Sequence, residues 1–212
     1  TRPGPDSATT RDGDDDDDGV SDGLDVFPYD PSEQSDYDGD GFPELAVGSL
    51  EKSSGPGSVY LLNVNSSCGL RSAPVRISNV QGGLPTGLLA DDDQFGRSVA
   101  SADLDGDGQP ELLVGAKVST QTNDKAGRVL ILSLHANGTV RTYVQLTAGV
   151  GALAEVINAY AFGKSIAVLQ SAGAGNFVAV GARTGGISVG MVYLLRLDSS
   201  LTVLSHERVD ST

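Results

Sequence analysis

The sequence predicts an all-β fold made of β-propeller blades, and three observations lead to this prediction. Short segments recur along the chain, their composition is that of strands, and one strand of each unit is apolar on both faces. Helical periodicity is absent, while apolar and β-branched runs end at Gly, Asn or Asp. We therefore expect about three four-stranded units, at about residues 36–90, 91–157 and 158–212.

Each unit is built from strands in a fixed order. A first strand begins with Phe-Gly, a loop leads to a second strand that ends in Gly, and a variable loop leads to a long apolar third strand. A fourth strand is expected near Val75–Ser78, Tyr143–Thr147 and Glu207–Asp210. The recurring segments are Phe95–Ala100 and Phe162–Ala167 for the first strand, Leu45–Gly48 and Leu112–Gly115 for the second, and Gly57–Leu62, Gly127–Leu132 and Gly190–Leu195 for the third.

The third strand indicates how the units pack. Val129 and Ile131 lie on one face of the predicted strand, and Leu130, Leu132 and Leu134 lie on the other. A strand of this kind must be covered on both sides. Four-stranded sheets packed face to face are the blades of a propeller. A two-sheet sandwich is the alternative, but it does not require one unit to occur three times.

Ring closure is left open by the sequence. Propellers usually have about 4 to 8 blades, whereas this chain supplies about three, and the first lacks a Phe-Gly strand. Further blades outside this sequence, other chains that complete the ring, and an open stack are three alternatives.

Two acidic loops are near copies of each other, 67 positions apart, at residues 36–44 and 103–111. In each loop, carboxylates at positions 1, 3, 5 and 9 and the backbone carbonyl of position 7 can converge on one hard cation. Glycines at positions 4 and 6 let the chain wrap around it. The alternative is a solvated acidic turn. The predicted ligands are Asp36, Asp38, Asp40, the carbonyl of Phe42 and Glu44 in one loop, and Asp103, Asp105, Asp107, the carbonyl of Gln109 and Glu111 in the other.

These units resemble the FG-GAP repeats of integrin alpha-subunit propellers and of many secreted proteins. The resemblance covers about residues 36–212 and rests on the two Phe-Gly segments, the acidic loops, and Val47–Ser49, Val114–Ala116 and Val180–Ala182 in the Gly-Ala-Pro position. It implies a propeller with Ca²⁺ bound in the hairpin between the first two strands of a blade. Both loops carry Glu where the family more often has Asp at the last position. The third loop, Leu169–Phe177, has no carboxylate, and we expect it to bind no calcium.

The acidic segment 1–35 contains a third instance of the pattern, which gives about three calcium sites in all. Its spacing is that of an EF-hand loop without the flanking helices, and the segment resembles a thrombospondin type-3 repeat. The alternative is a disordered acidic tail, which is also the state expected without calcium. The ligands that this pattern predicts are Asp14, Asp16, Asp18, the carbonyl of Val20, Asp22 and Asp25.

The charge of −14 is concentrated near the start of the chain: residues 1–44 hold 15 acidic and 2 basic residues, and residues 45–212 hold 13 and 12. No basic patch with interleaved aromatic residues occurs, which argues against nucleic acid as a partner. No signal peptide, transmembrane run or lipidation motif is evident. The chain begins without Met, and we expect it to be a mature fragment or a portion of a longer protein.

Three further features bear on the compartment. Cys68, the only cysteine of this sequence, cannot form a disulfide within it; it is either a spare or buried thiol, or it pairs with another chain or a missing segment. Sequons at Asn65 and Asn137 lie beside predicted turns. Together with calcium loops, they predict an extracellular, secreted or cell-surface glycoprotein. The acidic run Asp91–Asp93 is expected to be an exposed turn rather than a metal site.

Catalysis finds little support in the sequence, and we predict no enzyme. His135 and His206 lack acidic or nucleophilic partners at a known spacing, and no nucleotide or hydrolase fingerprint occurs. The predicted function is a calcium-stabilised extracellular structural or adhesion module that assembles with other extracellular proteins, further repeats or copies of itself, and glycans are a further class of partner. The alternative is the propeller part of a secreted glycan lyase or hydrolase, which would need carboxylates gathered in the central channel. Nearly all clustered carboxylates belong to the predicted calcium loops, and only Glu51, Asp124 and Glu155 are left, scattered along the chain.

Overall fold

The structure, a computed structural model, describes residues 36–38, 42–50, 55–65, 67, 69–116, 127–149, 151–154, 159–169, 176–184 and 190–210. These residues form three antiparallel sheets and one short 3₁₀ turn, and no α-helix occurs among them. The predicted all-β fold of propeller blades is confirmed. The predicted segment 1–35, Asp40 and Cys68 lie outside the described residues, as do Glu51, Asp124 and Glu155.

Strand order follows chain order in every sheet, as in a meander of hairpins. The strands of the first sheet are β1 (Glu44–Ser49), β2 (Ser58–Asn63) and β3 (Val75–Ile77). Those of the second sheet are β4 (Ser98–Ala102), β5 (Glu111–Ala116), β6 (Arg128–Leu134) and β7 (Val140–Thr147). Those of the third sheet are β8 (Ala159–Leu169), β9 (Asn176–Thr184), β10 (Gly190–Leu197) and β11 (Val203–Asp210), and the 3₁₀ turn spans Gly151–Leu153.

The second sheet lies between the other two and is covered on both faces. Every residue of β5 and β6 is buried, as the doubly apolar third strand predicted. One core contains Val59, Leu61 and Ile77 of the first sheet with Leu112, Val114, Leu130 and Leu132 of the second. The other core contains Leu113, Val129 and Ile131 of the second sheet with Val178, Val180, Tyr193 and Leu195 of the third.

Within the part of the chain that the structure describes, the first and third sheets are covered on one face. Strand β10 alternates between exposed and buried residues along its length. On β1, Leu45 and Val47 are 54% and 40% exposed, whereas their counterparts in the second sheet, Leu112 and Val114, are fully buried. Apolar side chains that are buried in the second sheet are therefore exposed at the equivalent positions of the first and third sheets.

Candidate metal centre

Two groups of carboxylates meet in the loops that precede the second strand of a unit. One oxygen from each of Asp103, Asp105 and Glu111 lies within 4.8 Å of the others, and the same holds for Asp36, Asp38 and Glu44. We call these the Asp103 cluster and the Asp36 cluster. Both consist only of carboxylate oxygens, the donors that hard cations such as Ca²⁺ prefer. The residues present therefore fit a calcium ion.

The loop of the Asp103 cluster is folded by its own backbone amides. The amides of Gly106 and Gly108 donate to the two oxygens of Asp103 at 2.7 and 3.0 Å. The amide of Asp107 donates to Asp105 at 3.0 Å. These short-range bonds form because alternating Asp and Gly let the chain turn back on each carboxylate. These hydrogen bonds hold the side chains of Asp103 and Asp105 in place within the loop.

Glu111 completes this cluster from the first residue of β5. It is buried, and it accepts hydrogen bonds from the amide of Leu104 at 2.9 Å and from the hydroxyl of Ser133 at 3.1 Å. The pKa of Glu111 is raised to about 7, first by burial and then by the negative charges of Asp105 and Asp107, while the two hydrogen bonds oppose the shift. The pKa of Asp105 is also raised, first by desolvation and then by Asp107 and Asp103. A bound cation would relieve this repulsion.

The Asp36 cluster has the same framework with different neighbours. The amide of Tyr37 donates to Glu44 at 2.8 Å, as the amide of Leu104 does to Glu111. Asn63 of β2 donates to Asp38 at 3.1 Å. The guanidinium of Arg71 lies 4.0 Å from the centre of the Phe42 ring and contacts Asn63. A basic group therefore lies at the edge of this cluster.

Not every predicted ligand belongs to a cluster. Asp107 lies outside the Asp103 cluster: it accepts from the amide of Gln109 at 2.8 Å, and it lies 3.4 Å from the guanidinium of Arg141. Among the described residues, the structure thus brings together positions 1, 3 and 9 of both loops. Asp40, the segment 1–35 with its six predicted ligands, and most of the third loop lie outside the described residues, so those assignments stay predictions.

The second position of each loop is a functional feature that the sequence analysis missed. Tyr37 and Leu104 are buried in the cores between successive sheets. In addition, Asn176 of β9 donates to the carbonyl of Leu104 at 2.6 Å. The apolar residue shared by both loops at this position was a signal available in the sequence. Each acidic loop is therefore anchored in the junction with the next sheet.

The run Asp91–Asp93 differs in part from the exposed turn that was expected. Asp91 and Asp92 are exposed, but the side chain of Asp93 is 1% exposed and forms an ion pair with Arg128 of β6. Arg128 also donates to the carbonyl of Leu88 at 2.9 Å, and Asp93 accepts from the amide of Ala90 at 3.0 Å. Asp93 is buried because its carboxylate neutralises the guanidinium of Arg128, which is itself buried on β6.

The remaining sequence features lie apart from the two clusters. Asn65 and Asn137 are exposed in turns, where their side-chain oxygens accept backbone amides. His135 lies in the β6–β7 turn and His206 in β11. Within the part of the chain that the structure describes, no helix has the length and apolar character needed to cross a membrane.

Comparison with known families gives a match in the second unit. Residues 95–132, from the Phe-Gly turn through β4, the Asp103 loop, β5 and most of β6, match the FG-GAP repeat family. FG-GAP repeats are generally propeller or extracellular adhesion modules and often bind calcium. The second unit of this chain thus matches an FG-GAP repeat and contains a carboxylate cluster that could hold a metal ion.

Proposed function

We propose that this protein is a calcium-stabilised extracellular structural or adhesion module, which mediates protein–protein assembly at a cell surface, in a matrix or in a surface filament. The observation that carries the proposal is the position of the two clusters. Each cluster lies where an acidic loop meets the first residue of the following strand, β1 or β5. Position 2 of that loop is buried between two sheets. An ion bound there would stiffen the junction between blades.

The proposed setting follows from the chemistry of calcium. Carboxylate-rich extracellular modules bind calcium with Kd values of roughly 10⁻⁴–10⁻³ M, so such sites fill outside a cell and empty within it. At about 1 mM calcium, which is about one to ten times such a Kd, each site adds roughly 0.4–1.4 kcal/mol to the free energy of unfolding. The exposed sequons Asn65 and Asn137 support the same compartment.

The acidic segment 1–35 extends this proposal. Its spaced carboxylates Asp14, Asp16 and Asp18 would bind a further ion in the manner of a thrombospondin type-3 repeat. This site is tested in the full chain by replacing all three residues with Asn. One bound calcium fewer is expected in a calorimetric titration, together with faster proteolysis within residues 1–35 in millimolar calcium. Equal protease sensitivity of the parent segment with and without calcium would contradict this part of the proposal.

The decisive experiment for the function compares calcium with EDTA on the full chain. Calorimetry should give binding at both described clusters, and Tm should rise in millimolar calcium. Magnesium at the same concentration should raise Tm less, because it requires near-ideal octahedral geometry and dehydrates reluctantly. The proposal fails if calcium neither binds nor changes Tm.

Assembly requires its own measurement. The calcium-loaded chain, immobilised on a surface, is tested for adhesion to extracellular matrix and cell-surface preparations. The double variant Asp103→Asn and Asp36→Asn, which weakens both clusters, should retain little of the adhesion, and Asp91→Asn serves as the matched control because Asp91 is exposed and outside both clusters. Adhesion unaffected by EDTA would separate assembly from calcium and contradict the proposed role of the ion.

A further inference from the structure

The third strand of the first two units carries a buried polar side chain beside the acidic loop. Asn63 of β2 lies opposite Glu44 in the strand register, and Ser133 is its counterpart on β6. Both are buried, and a buried polar group requires a hydrogen-bond partner. The Asn63 amide donates to Asp38 at 3.1 Å, and the Ser133 hydroxyl donates to Glu111 at 3.1 Å. Each cluster is therefore contacted by a residue that lies outside its acidic loop.

Asn63 also links its cluster to a basic residue. Its side-chain oxygen accepts from the guanidinium of Arg71 at 3.3 Å, while its side-chain nitrogen donates to Asp38. These partners determine the orientation of the amide, because a guanidinium only donates and a carboxylate only accepts. The backbone amide of Arg71 donates to the backbone carbonyl of Asn63 at 2.9 Å. We call the chain of side-chain hydrogen bonds from Arg71 through Asn63 to Asp38 the Arg71 bridge.

Arg71 holds the acidic loop at two points. One is Asp38, at position 3 of the loop, which Arg71 reaches through Asn63. The other is Phe42, at position 7, whose ring centre lies 4.0 Å from the guanidinium. A guanidinium over an aromatic ring is attracted by the negative face of the ring. One basic side chain thus holds two of the loop positions that an ion is predicted to hold.

The Asp103 cluster is held in a different way. At position 7, the side-chain amide of Gln109 donates to a neighbouring backbone carbonyl at 3.2 Å. The guanidinium of Arg141 lies 3.4 Å from Asp107, which is outside the cluster, and the two side chains are 45% and 39% exposed. The interaction of such an exposed pair is weakened by solvent. The basic residue near this loop therefore lies beside a carboxylate that is not a member of the cluster.

The charge of Arg71 affects the empty and the loaded Asp36 cluster in opposite directions. Without an ion, a nearby positive charge reduces the repulsion among the carboxylates and stabilises the loop. When Ca²⁺ enters, the same charge repels it. At the Asp103 cluster, the raised pKa values of Glu111 and Asp105 reflect desolvation and repulsion in the empty loop. An ion therefore relieves more repulsion at the Asp103 cluster than at the Asp36 cluster.

We propose that Asn63 and Arg71 replace part of the function of the ion at the Asp36 cluster. This cluster then binds calcium more weakly than the Asp103 cluster, and its loop stays in place when calcium is low. Calcium fills the Asp103 site first and so controls the packing between the second and third sheets, where Leu104 is buried. The inference rests on the proposed calcium-dependent function and assigns an order of filling to its two described sites.

The test is a calcium titration of the full chain, followed by NMR at two backbone amides in a buffer above the raised pKa of Glu111. The amide of Tyr37 donates to Glu44 and the amide of Leu104 donates to Glu111, so each amide reports one cluster. The calcium concentration at half-maximal shift should be roughly three- to tenfold higher for Tyr37 than for Leu104. A lower midpoint for Tyr37 would overturn the proposal.

Variants of Arg71 separate its charge from its packing. Arg71→Met keeps a long apolar side chain over the Phe42 ring, so the Tyr37 midpoint should fall roughly three- to tenfold while the Leu104 midpoint stays unchanged. Arg71→Lys keeps the charge and should keep the midpoint of the parent. In about 1 M salt, which screens exposed charges beyond about 3 Å, the midpoints of Arg71→Met and the parent should converge. An unchanged Tyr37 midpoint in Arg71→Met would overturn the proposal.

In EDTA, the Arg71 bridge is tested without calcium. Arg71→Met and Asn63→Ser, which introduces the residue of the second unit, should each lower Tm. The double variant should lower Tm by less than the sum, because both changes break the same chain of contacts. Arg76→Met is the matched control for the titration and the melts, because the Arg76 guanidinium also lies over a ring, 5.9 Å from the centre of Tyr60. Additive losses, or an unchanged Tm in Arg71→Met, would overturn the proposal.

The outcomes separate this proposal from the function on which it rests. Calcium shifts at both amides with equal midpoints would leave the calcium-stabilised module intact and overturn the order of filling. Calcium shifts at neither amide would overturn the proposed function and this inference together. The two failures are therefore distinguishable in one titration.

Discussion

The backbone amide of Leu104 donates a 2.9 Å hydrogen bond to Glu111, which joins the second and ninth positions of an acidic loop. Tyr37 and Glu44 form the same bond at 2.8 Å in the other loop. Leu104 is buried against the third sheet, while Glu111 is a member of the Asp103 cluster. The carboxylate cluster and the packing of neighbouring sheets therefore share one short stretch of backbone.

Replacing Glu111 with Gln should weaken calcium binding roughly tenfold or more. The Gln side chain keeps an oxygen that can accept from Leu104 but removes the negative charge. In EDTA the variant should be at least as stable as the parent, because the repulsion between Glu111 and Asp105 is gone. Calorimetry and thermal unfolding measure both effects, with Asp91→Asn as control. Unchanged calcium affinity would remove Glu111 from the ligand set.

Leu104→Ala should lower the free energy of unfolding by about 2–5 kcal/mol. The side chain is fully buried between the second and third sheets, so truncation leaves a cavity. Calcium affinity should fall as well, because the loop loses its anchor. Urea unfolding with and without calcium tests this expectation, and Leu70→Ala, at a residue 55% exposed, is the control. Equal losses in the two variants would show that position 2 does not anchor the loop.

Gly115→Ala should be far more damaging than Gly190→Ala. A Cβ at Gly115 would overlap the backbone oxygen of Gly163, so the second and third sheets would have to separate. A Cβ at Gly190 meets no described atom, and the exchange should be close to neutral. Circular dichroism melts of the two variants give the comparison. A tolerated Gly115→Ala would contradict the close backbone contact at the junction.

Asp93→Ala should cost about 3–5 kcal/mol, because it leaves the Arg128 guanidinium without its carboxylate in the interior. The side chains of Asp93 and Arg128 are 1% and 10% exposed. Arg141→Ala breaks a pair whose side chains are 45% and 39% exposed, and should cost less than about 1 kcal/mol. Denaturant unfolding of both variants in EDTA keeps calcium out of the comparison. Similar losses for the two pairs would contradict the role assigned to Asp93.

Much of the fold could be predicted because its unit occurs more than once. Strand β6 was predicted to be covered on both faces from its doubly apolar pattern, and it is. The fourth strands of the second and third units are longer than predicted, and β11 begins at Val203, four residues before the predicted Glu207. The fourth strand of the first unit, β3, ends at Ile77, one residue before the predicted Ser78. The first two residues of β11, Val203 and Leu204, are apolar, but Ser205 and His206 follow them, and pairing with β10 extends the strand across these residues.

The candidate site was predicted in part. Asp103, Asp105 and Glu111 meet as expected, because local turns and the start of β5 bring them together. Asp107 does not belong to the cluster, since its carboxylate faces the Gln109 amide and Arg141 of β7. Arg141 is 34 residues away along the chain, and sequence spacing contains no information about such a neighbour.

The amino-acid sequence by itself determined the repeating strands and the two acidic loops, because both depend on residues within a few positions of one another. Tertiary structure alone decided that Asp93 is buried with Arg128 and that Asn176 contacts the Asp103 loop. It also decided that Val192 and Leu194 are exposed, whereas the equivalent residues of the second unit, Val129 and Ile131, are buried. These facts depend on which sheets lie against each other. Equivalent residues in a repeat have the same chemistry, but only the position of the sheet in the stack determines whether a neighbour covers them.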